Sequence, residues 1–436
     1  MKHKSIVIGL TIMASCMLAH AQAPISKSIT LQQAIDSSLK YNKQLKIYQT
    51  RILAATADIR EAKDRRLPDA GISGSFLYLP LDPGIDLKTS GTGSNMPAVH
   101  EALYGMASIS LPLFTGGKLK YGVESANLLE QAVKLDVDQD RSLVLLNTIN
   151  ACINLYKAHQ AITLVKENLE QAKQRVKDLS NLEKNGLLAR NDLLKAELQS
   201  SNTELLLLDA ENNYAIACVN MNLMMGQPEQ TLLIPDRSGL ALPDSIKTLD
   251  AYEQDALQNR KDKASLLIRK QVAQLGIKSA KADCLPSLAL TGGYFAADIP
   301  KFITITHAVN FGLAVKYNIA SLWKTKTKIQ QATYKLQQVE LNEGILDDQV
   351  RLQINTAYQG YLLSRKKIEV MLKSVLQATE NYRITKNKYD NSLATTTDLL
   401  DADAALLQAN LSVTNAKADS FLAYNKLLQT AGLLTR

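Results

Sequence analysis

The sequence predicts a mainly α protein with a small β part, built as two tandem copies of one unit in which long helical hairpins alternate with pairs of strands. Three observations carry this reading. Among 436 residues there are only 20 Gly, 11 Pro, 6 Phe and 1 Trp, a poverty of turn formers that disfavours an all-β fold and favours long helices. Short motifs recur at constant offsets along the chain. One stretch, Val309 to Ile319, alternates strictly between apolar and small or polar residues, the period of a strand with two unlike faces.

The offsets define the repeat. Ile59-Arg60-Glu61-Ala62-Lys63 followed by Leu67-Pro68 returns as Ile277-Lys278-Ser279-Ala280-Lys281 followed by Leu285-Pro286, 218 residues on, and Gly74 meets Gly292 at the same offset. Asp192-Leu193-Leu194 returns as Asp398-Leu399-Leu400 at an offset of 206, as do Ala172 and Ala378, Asn185 and Asn391, and Gly226 and Gly432. Two constant offsets that differ by 12 residues imply one change of length, between Gly74 and about Lys118. The expected organisation is therefore a leader at 1–21, a first repeat at 22–226, a linker at 227–248 and a second repeat at 249–436.

The leader has a charged start (Lys2, Lys4), an apolar stretch from Ile6 to Leu18 and a small-x-small site at Ala19-His20-Ala21, as in a secretory signal cleaved after Ala21. Lipid attachment at Cys16, after Met13-Ala14-Ser15, is the alternative. Each repeat then begins with a helix, about Leu31 to Arg66 and Leu249 to Cys284. Strands are expected at about Ala70 to Leu79, Ala102 to Phe114, Ser287 to Ala297 and Val309 to Ile319. Asp82 to His100 forms the longer connecting loop and Asp298 to Ala308 the shorter one. Two very long helices follow the strands, at about Lys118 to Asn185 and Lys324 to Asn391, each of which would reach roughly 100 Å. Breaks at Gly186 and Ser392 lead into last helices at about Asp192 to Met225 and Asp398 to Ala431. The first and last helices of a repeat together match a long helix in length, which suggests coaxial stacking beside it.

The long helices carry heptad seams. Ile162, Val165, Leu169, Ala172, Val176 and Leu179 are spaced 3-4-3-4-3, and their counterparts are Ile368, Met371, Val375, Ala378, Tyr382 and Thr385. The alternating strand has the apolar-out, polar-in pattern of a lipid-facing barrel. Tyr78, Tyr104, Phe114, Tyr294, Tyr317 and Trp323 are candidates for interfacial rings. Beyond the leader no apolar run reaches the length of a membrane helix, so any crossing must use strands. Four strands cannot close a barrel, and lipid does not tolerate open edges, so oligomerisation is required.

Composition excludes several functions. Hydrophobic residues at 46% supply a core. The net charge of +8 falls to +6 without Lys2 and Lys4 and forms no basic cluster interleaved with aromatics, so nucleic acid is not an expected partner. Beyond the leader only His100, His159 and His307 remain, scattered, with no nucleophile–base pairing, phosphate loop or metal-ligand spacing. No catalytic residue, cofactor or metal is assigned, and the protein is not expected to be an enzyme. Cys152, Cys218 and Cys284 are read as small buried groups with free thiols on separate helical stretches.

The chain resembles the TolC-type outer-membrane efflux family over essentially its whole mature length. The likeness rests on Leu67-Pro68 and Leu285-Pro286 before the strands, and on Leu111-Pro112-Leu113-Phe114 with Gly116-Gly117 after the second strand. Asn185-Gly186-Leu187 with Asp192-Leu193-Leu194, and Asp398-Leu399-Leu400-Asp401-Ala402, complete it. It implies a homotrimer with a twelve-stranded transmembrane β-barrel on a periplasmic α-barrel. The partners implied are outer-membrane lipid, a periplasmic membrane-fusion adaptor and an inner-membrane transporter of the RND, ABC or MFS type. The implied function is a passive export duct for efflux or type I secretion in the outer membrane of a Gram-negative bacterium. The alternative is a periplasmic coiled-coil scaffold or adaptor without a pore.

The resemblance also marks site residues. Gly186, Leu187, Ser392 and Leu393 form the adaptor-docking tip. Asp398 and Asp401 match the family's aspartates at the pore entrance, Asp192 occupies the equivalent place in the first repeat, and Tyr389 matches the gate tyrosine. Ser392 stands at the tip glycine and Ala394 at the latch arginine, so Arg190 or Lys195 is the expected substitute latch. Asn318-Ile319-Ala320 replaces the Pro-Leu-Phe stretch.

Overall fold

The computed structural model describes residues 26–81, 100–236, 241–300 and 303–434. The leader with Cys16, nearly all of the loop Asp82 to His100 and part of the linker lie outside the described residues. The elements run β1 (Ser26–Ile29), α1 (Leu31–Tyr41), α2 (Lys43–Asp64), β2 (Asp69–Tyr78), β3 (Glu101–Phe114), α3 (Lys118–Lys184), α4 (Arg190–Met225) and β4 (Leu232–Pro235). They continue with α5 (Leu249–Asn259), α6 (Lys261–Ala282), β5 (Ser287–Ile299), β6 (Ile303–Lys316), α7 (Ser321–Asp390) and α8 (Thr396–Thr430). Two compact units result. One holds residues 26–48, 139–260 and 348–434, the other 49–138 and 261–347, so α3 and α7 each contribute to both.

In the first unit the repeat is visible in the caps. Thr30 and Thr248, 218 residues apart, both cap a helix. The Thr30 hydroxyl accepts Gln33 N–H at 3.2 Å while Gln33 returns its side-chain oxygen to Thr30 N–H at 3.1 Å, and Thr248 accepts Ala251 N–H at 3.4 Å. The single first helix expected in each repeat is instead two, broken at Asn42 and at Arg260. Neither residue is a Gly or Pro, and the cause is tertiary. Gly226, left-handed at the end of α4, lies so close that an added Cβ would come within 2.8 Å of Tyr41 Cβ. Gly432, left-handed after α8, sits almost as tightly on Asn259 and Arg260, where an added Cβ would come within 3.1 Å of their backbone. Asn42 restarts the chain by accepting Gln44 N–H at 2.8 Å, and Arg260 donates to Gln353 Oε1 at 2.8 Å and to Thr430 O at 3.3 Å.

A parallel pair of short strands, β1 with β4, was not legible in the sequence. It closes a core of Ile29, Ala34, Ala151, Leu155, Cys218, Met221, Met225 and Leu233. Asn222 Nδ2 donates to the carbonyls of Glu229 and Thr231 (3.2 and 2.7 Å), and the Tyr214 hydroxyl to that of Leu233 (2.8 Å), tying α4 to the return strand. Burial pushes the Cys152 thiol up to about 11, so it stays a protonated packing group. Cys284 departs from the expectation: it is half-buried and lies in the turn after α6 rather than in a helix.

The α3 seam is buried at Val165, Leu169, Ala172 and Leu179, while all six α7 counterparts are only half-buried. Leu352, Leu363 and Leu376 of α7 are exposed.

The second unit carries an antiparallel sheet in the order β2-β3-β5-β6, leaving β2 and β6 as edges. β5 and β6 pair out to Ile299↔Ile303, so most of the stretch expected as the shorter loop is strand. At the other end β6 stops at Lys316, so Tyr317 and Ile319 lie beyond the strand. The register puts Phe76, Leu103, Ile72, Ile109, Leu290, Phe311 and Leu313 on one face. Ser73, Ser75, Ser108, Ser110, Thr291 and Asn310 lie on the other. The apolar face is bare: Ile72 is 91% and Phe311 84% exposed. Among the described residues no helix is long and apolar enough to cross a membrane.

Candidate functional site

Both long helices end in the same turn. Gly186 N–H donates to Glu183 O at 2.9 Å and Leu187 N–H to Leu182 O at 2.9 Å. Ser392 N–H donates to Tyr389 O at 2.9 Å and Leu393 N–H to Lys388 O at 2.7 Å. This pair of bonds requires a left-handed residue at the turn, and Gly186 (φ 71°) and Ser392 (φ 59°) supply it. Asn185 and Asn391 each donate through Nδ2 to the carbonyl four residues back, at 2.8 and 2.7 Å. The side chains that follow are bare, Leu187 at 73% and Leu393 at 76% exposure.

The helices leaving the turns start differently. Ala189 precedes α4 with no side-chain cap. Thr395 forms a full capping box with Asp398: its N–H and hydroxyl donate to Asp398 Oδ2 at 2.9 and 2.7 Å, and it accepts Asp398 N–H at 3.2 Å. The Thr395 hydroxyl and amide hold the Asp398 carboxyl below its ordinary value. Asp398 is thus engaged in its own cap, whereas Asp401 is exposed one turn on.

Of the remaining expected residues, Tyr389 packs with Leu179, Leu193, Ala196 and Leu400, where the two hairpins meet. Lys195 reaches across the hairpins, donating to Thr397 Oγ1 at 3.1 Å while 3.5 Å from Asp192 Oδ1. Arg190 stays on its own hairpin, 3.7 Å from Glu183.

A further group was missed by sequence reasoning. Asp403 on α8 and Arg175 on α3 form a buried ion pair at 3.0 Å, with side chains only 6% and 13% exposed. Asn168 Nδ2 donates to the same Asp403 oxygen at 3.3 Å, and Arg175 donates on to the Tyr382 hydroxyl of α7 at 3.4 Å. Burial opposes the Arg175 charge, but the hydrogen bond and charge of Asp403 outweigh it and hold the guanidinium more firmly protonated than usual. The available signal was an acid at i+3 and i+4 from Leu400 and Leu399, on an apolar stripe where an unpaired carboxylate is costly. Among the described residues no cluster of His, Cys, Asp and Glu could hold a metal ion.

A chain with these duplicated hairpins and a four-stranded sheet matches a known family. The family model described as "Outer membrane efflux protein" matches residues 34–227 and 253–433, well over half of the chain. The chain belongs to the outer membrane efflux protein family. Relatives include the outer membrane efflux protein BepC of Brucella suis, 21% identical over 99% of this chain and 91% of that protein. The outer membrane protein TolC of Vibrio cholerae is 27% identical over 62% of each chain. Among solved structures, the outer membrane protein VceC of Vibrio cholerae superposes with a TM-score of 0.72 at 18% identity, covering 92% of this chain and 96% of that one. As a member of the family the protein is an outer-membrane efflux channel, and the family's members are channels rather than enzymes.

Proposed function

We propose that the protein is a passive export duct in which three copies close their sheets into one twelve-stranded transmembrane barrel above a periplasmic α-barrel. The observation that carries this is the sheet of the second unit, with one continuous apolar, solvent-bare face and two unpaired edge strands, β2 and β6. Lipid satisfies the face, and only pairing of β6 with β2 of a neighbouring copy satisfies the edges. The exposed leucines of α7 support the same assembly, because a neighbour would complete its half-buried seam. The repeats are assigned to 22–226 and 249–436, joined by 227–248 after a leader at 1–21.

The turns at Gly186-Leu187 and Ser392-Leu393 are proposed to dock a membrane-fusion adaptor, and through it an inner-membrane pump of the RND, ABC or MFS type. Asp401, with Asp398 and Asp192 behind it, is proposed to set cation preference at the entrance. Tyr389 and Lys195 hold the two hairpins together there, while Arg190 braces its own turn through Glu183. Because Asp398 is occupied by its cap, Asp401 carries most of the ring.

Changing Leu313 to Arg tests the barrel. The substitution places a charge on the apolar face and should cost roughly 2–4 kcal/mol if that position faces the bilayer midplane, seen as loss of the heat-modifiable oligomer and of single-channel conductance. A variant that assembles and conducts like the parent would overturn the assignment of β6 to the lipid face, and a parent chain that does not conduct would favour a scaffold without a pore. In recordings on the assembled channel, Asp398→Asn with Asp401→Asn should weaken cation preference and divalent block, with Asp401→Asn alone giving most of the effect.

A further inference from the structure

Within the second unit, the ends of the strands and the starts of the long helices enclose a cavity of about 410 Å³ lined by four lysines, Lys118, Lys316, Lys324 and Lys328. The only carboxylate lining it is Asp283, which pairs with both Lys118 and Lys328, the latter at 2.9 Å. Lys316 and Lys324 have no carboxylate partner among the described residues, so the cavity is strongly positive.

The lysines are also placed against the helices that carry them. Helix N-termini favour anions and disfavour cations. Yet α3 opens with Lys118 and Lys120, α7 carries Lys324, Lys326 and Lys328 within its first eight residues, and neither has an acid in its first turn. Lys118 and Lys324 are equivalent at the offset of 206, as are Lys120 and Lys326, so both repeats carry the same apparently unfavourable choice. A bound anion reverses its sign, since a phosphate between these groups is attracted by the lysines and by the helix ends together. Ser321 supplies the second observation. It is buried, it lines the cavity, and its hydroxyl has no hydrogen-bond partner, leaving a donor for an oxyanion.

The surroundings specify what brings the anion. Tyr317, Leu322 and Trp323 flank the start of α7 and are exposed, and Trp323 is the only tryptophan in the chain. Aromatic and apolar side chains beside a cationic pocket suit a phosphate attached to acyl chains. We propose that this cavity binds the headgroup phosphate of an anionic phospholipid from the periplasm-facing leaflet. The inference rests on the reading that β2, β3, β5 and β6 span the bilayer.

The test uses the purified full chain in detergent and the emission of Trp323 as the reporter. Dioctanoyl phosphatidylglycerol should bind saturably. Removing two cavity charges with Lys316→Gln and Lys324→Gln should weaken it roughly 30-fold, from the usual worth of a lysine near an anionic lipid. Lys120→Gln with Lys326→Gln removes the same charge outside the cavity and should change the affinity by less than about 3-fold, and Ser321→Ala should weaken it with every lysine kept. Equal losses in the two lysine pairs would reduce the site to diffuse surface charge and overturn it. Inorganic phosphate binding as tightly, with the same lysine dependence, would assign the cavity to a soluble anion and overturn the lipid. Conductance separates this from the duct reading: lysine-independent lipid binding in a conducting channel removes the site alone, whereas a non-conducting parent chain removes the span.

Discussion

The two hairpin turns close with the same backbone bonds yet divide their stabilisation differently. The α3–α4 turn has glycine at its left-handed position and an uncapped helix after it. The α7–α8 turn has serine there, at φ 59°, and a full capping box after it. A left-handed non-glycine residue costs on the order of 1 kcal/mol, and a good cap contributes about the same. The second turn thus offsets a local conflict with a local gain, and the first has neither. Duplication preserved the geometry while the residues that produce it drifted apart. The buried ion pair marks a second asymmetry, since Asp403 anchors α8 to Arg175, while its counterpart Glu197 is exposed on α4.

The largest test of this comparison is Asp403→Ala, which leaves Arg175 buried without its partner. It should cost about 3–5 kcal/mol, read as faster hydrogen exchange in α8, whereas Glu197→Ala should stay within about 0.5 kcal/mol. Thr395→Ala should remove about 1 kcal/mol from the second turn, and Ala189→Ser should add up to a similar amount to the first, because Ala189 already has the extended backbone of a cap. Ser392→Gly should gain at most about 1 kcal/mol in thermal unfolding, and Gly186→Ser should lose a similar amount. The smallest effect is one of pH. With the folded Asp398 carboxyl held below its ordinary 3.8, the capping contribution is present above that value and is lost only as pH falls through the lower folded one. Amide protection in the first turn of α8 should follow that course, and Asp398→Asn should abolish it.

Much of the fold was readable because the chain is written twice. The offset of 206 aligns Asn185 with Asn391 and Gly186 with Ser392, and the structure gives both pairs the same hydrogen bonds. What escaped depends on partners distant in sequence. The breaks at Asn42 and Arg260 answer to Gly226 and Gly432, roughly 180 residues away, rather than to any local breaker. The strands β1 and β4 are four residues each, too short for a period of two to register. At the tip, Asp398 and Asp401 stand out as a helix-start pattern, but the acid the fold buries is Asp403. Its partner Arg175 lies on another helix, which no spacing rule connects to it. The heptads of α3 and α7 look alike in sequence, and only packing distinguishes the buried seam from the half-open one.

The turns have one more consequence. Each is closed by main-chain bonds and by a left-handed residue, and neither depends on the leucine that follows it. Leu187 and Leu393 therefore carry no folding duty, and exchanging them leaves the hairpin's stability nearly untouched. On the proposed docking role, selection at those two positions is free to follow the partner alone. A duct that docks through them would change the machine it serves by altering a side chain, without renegotiating its own architecture.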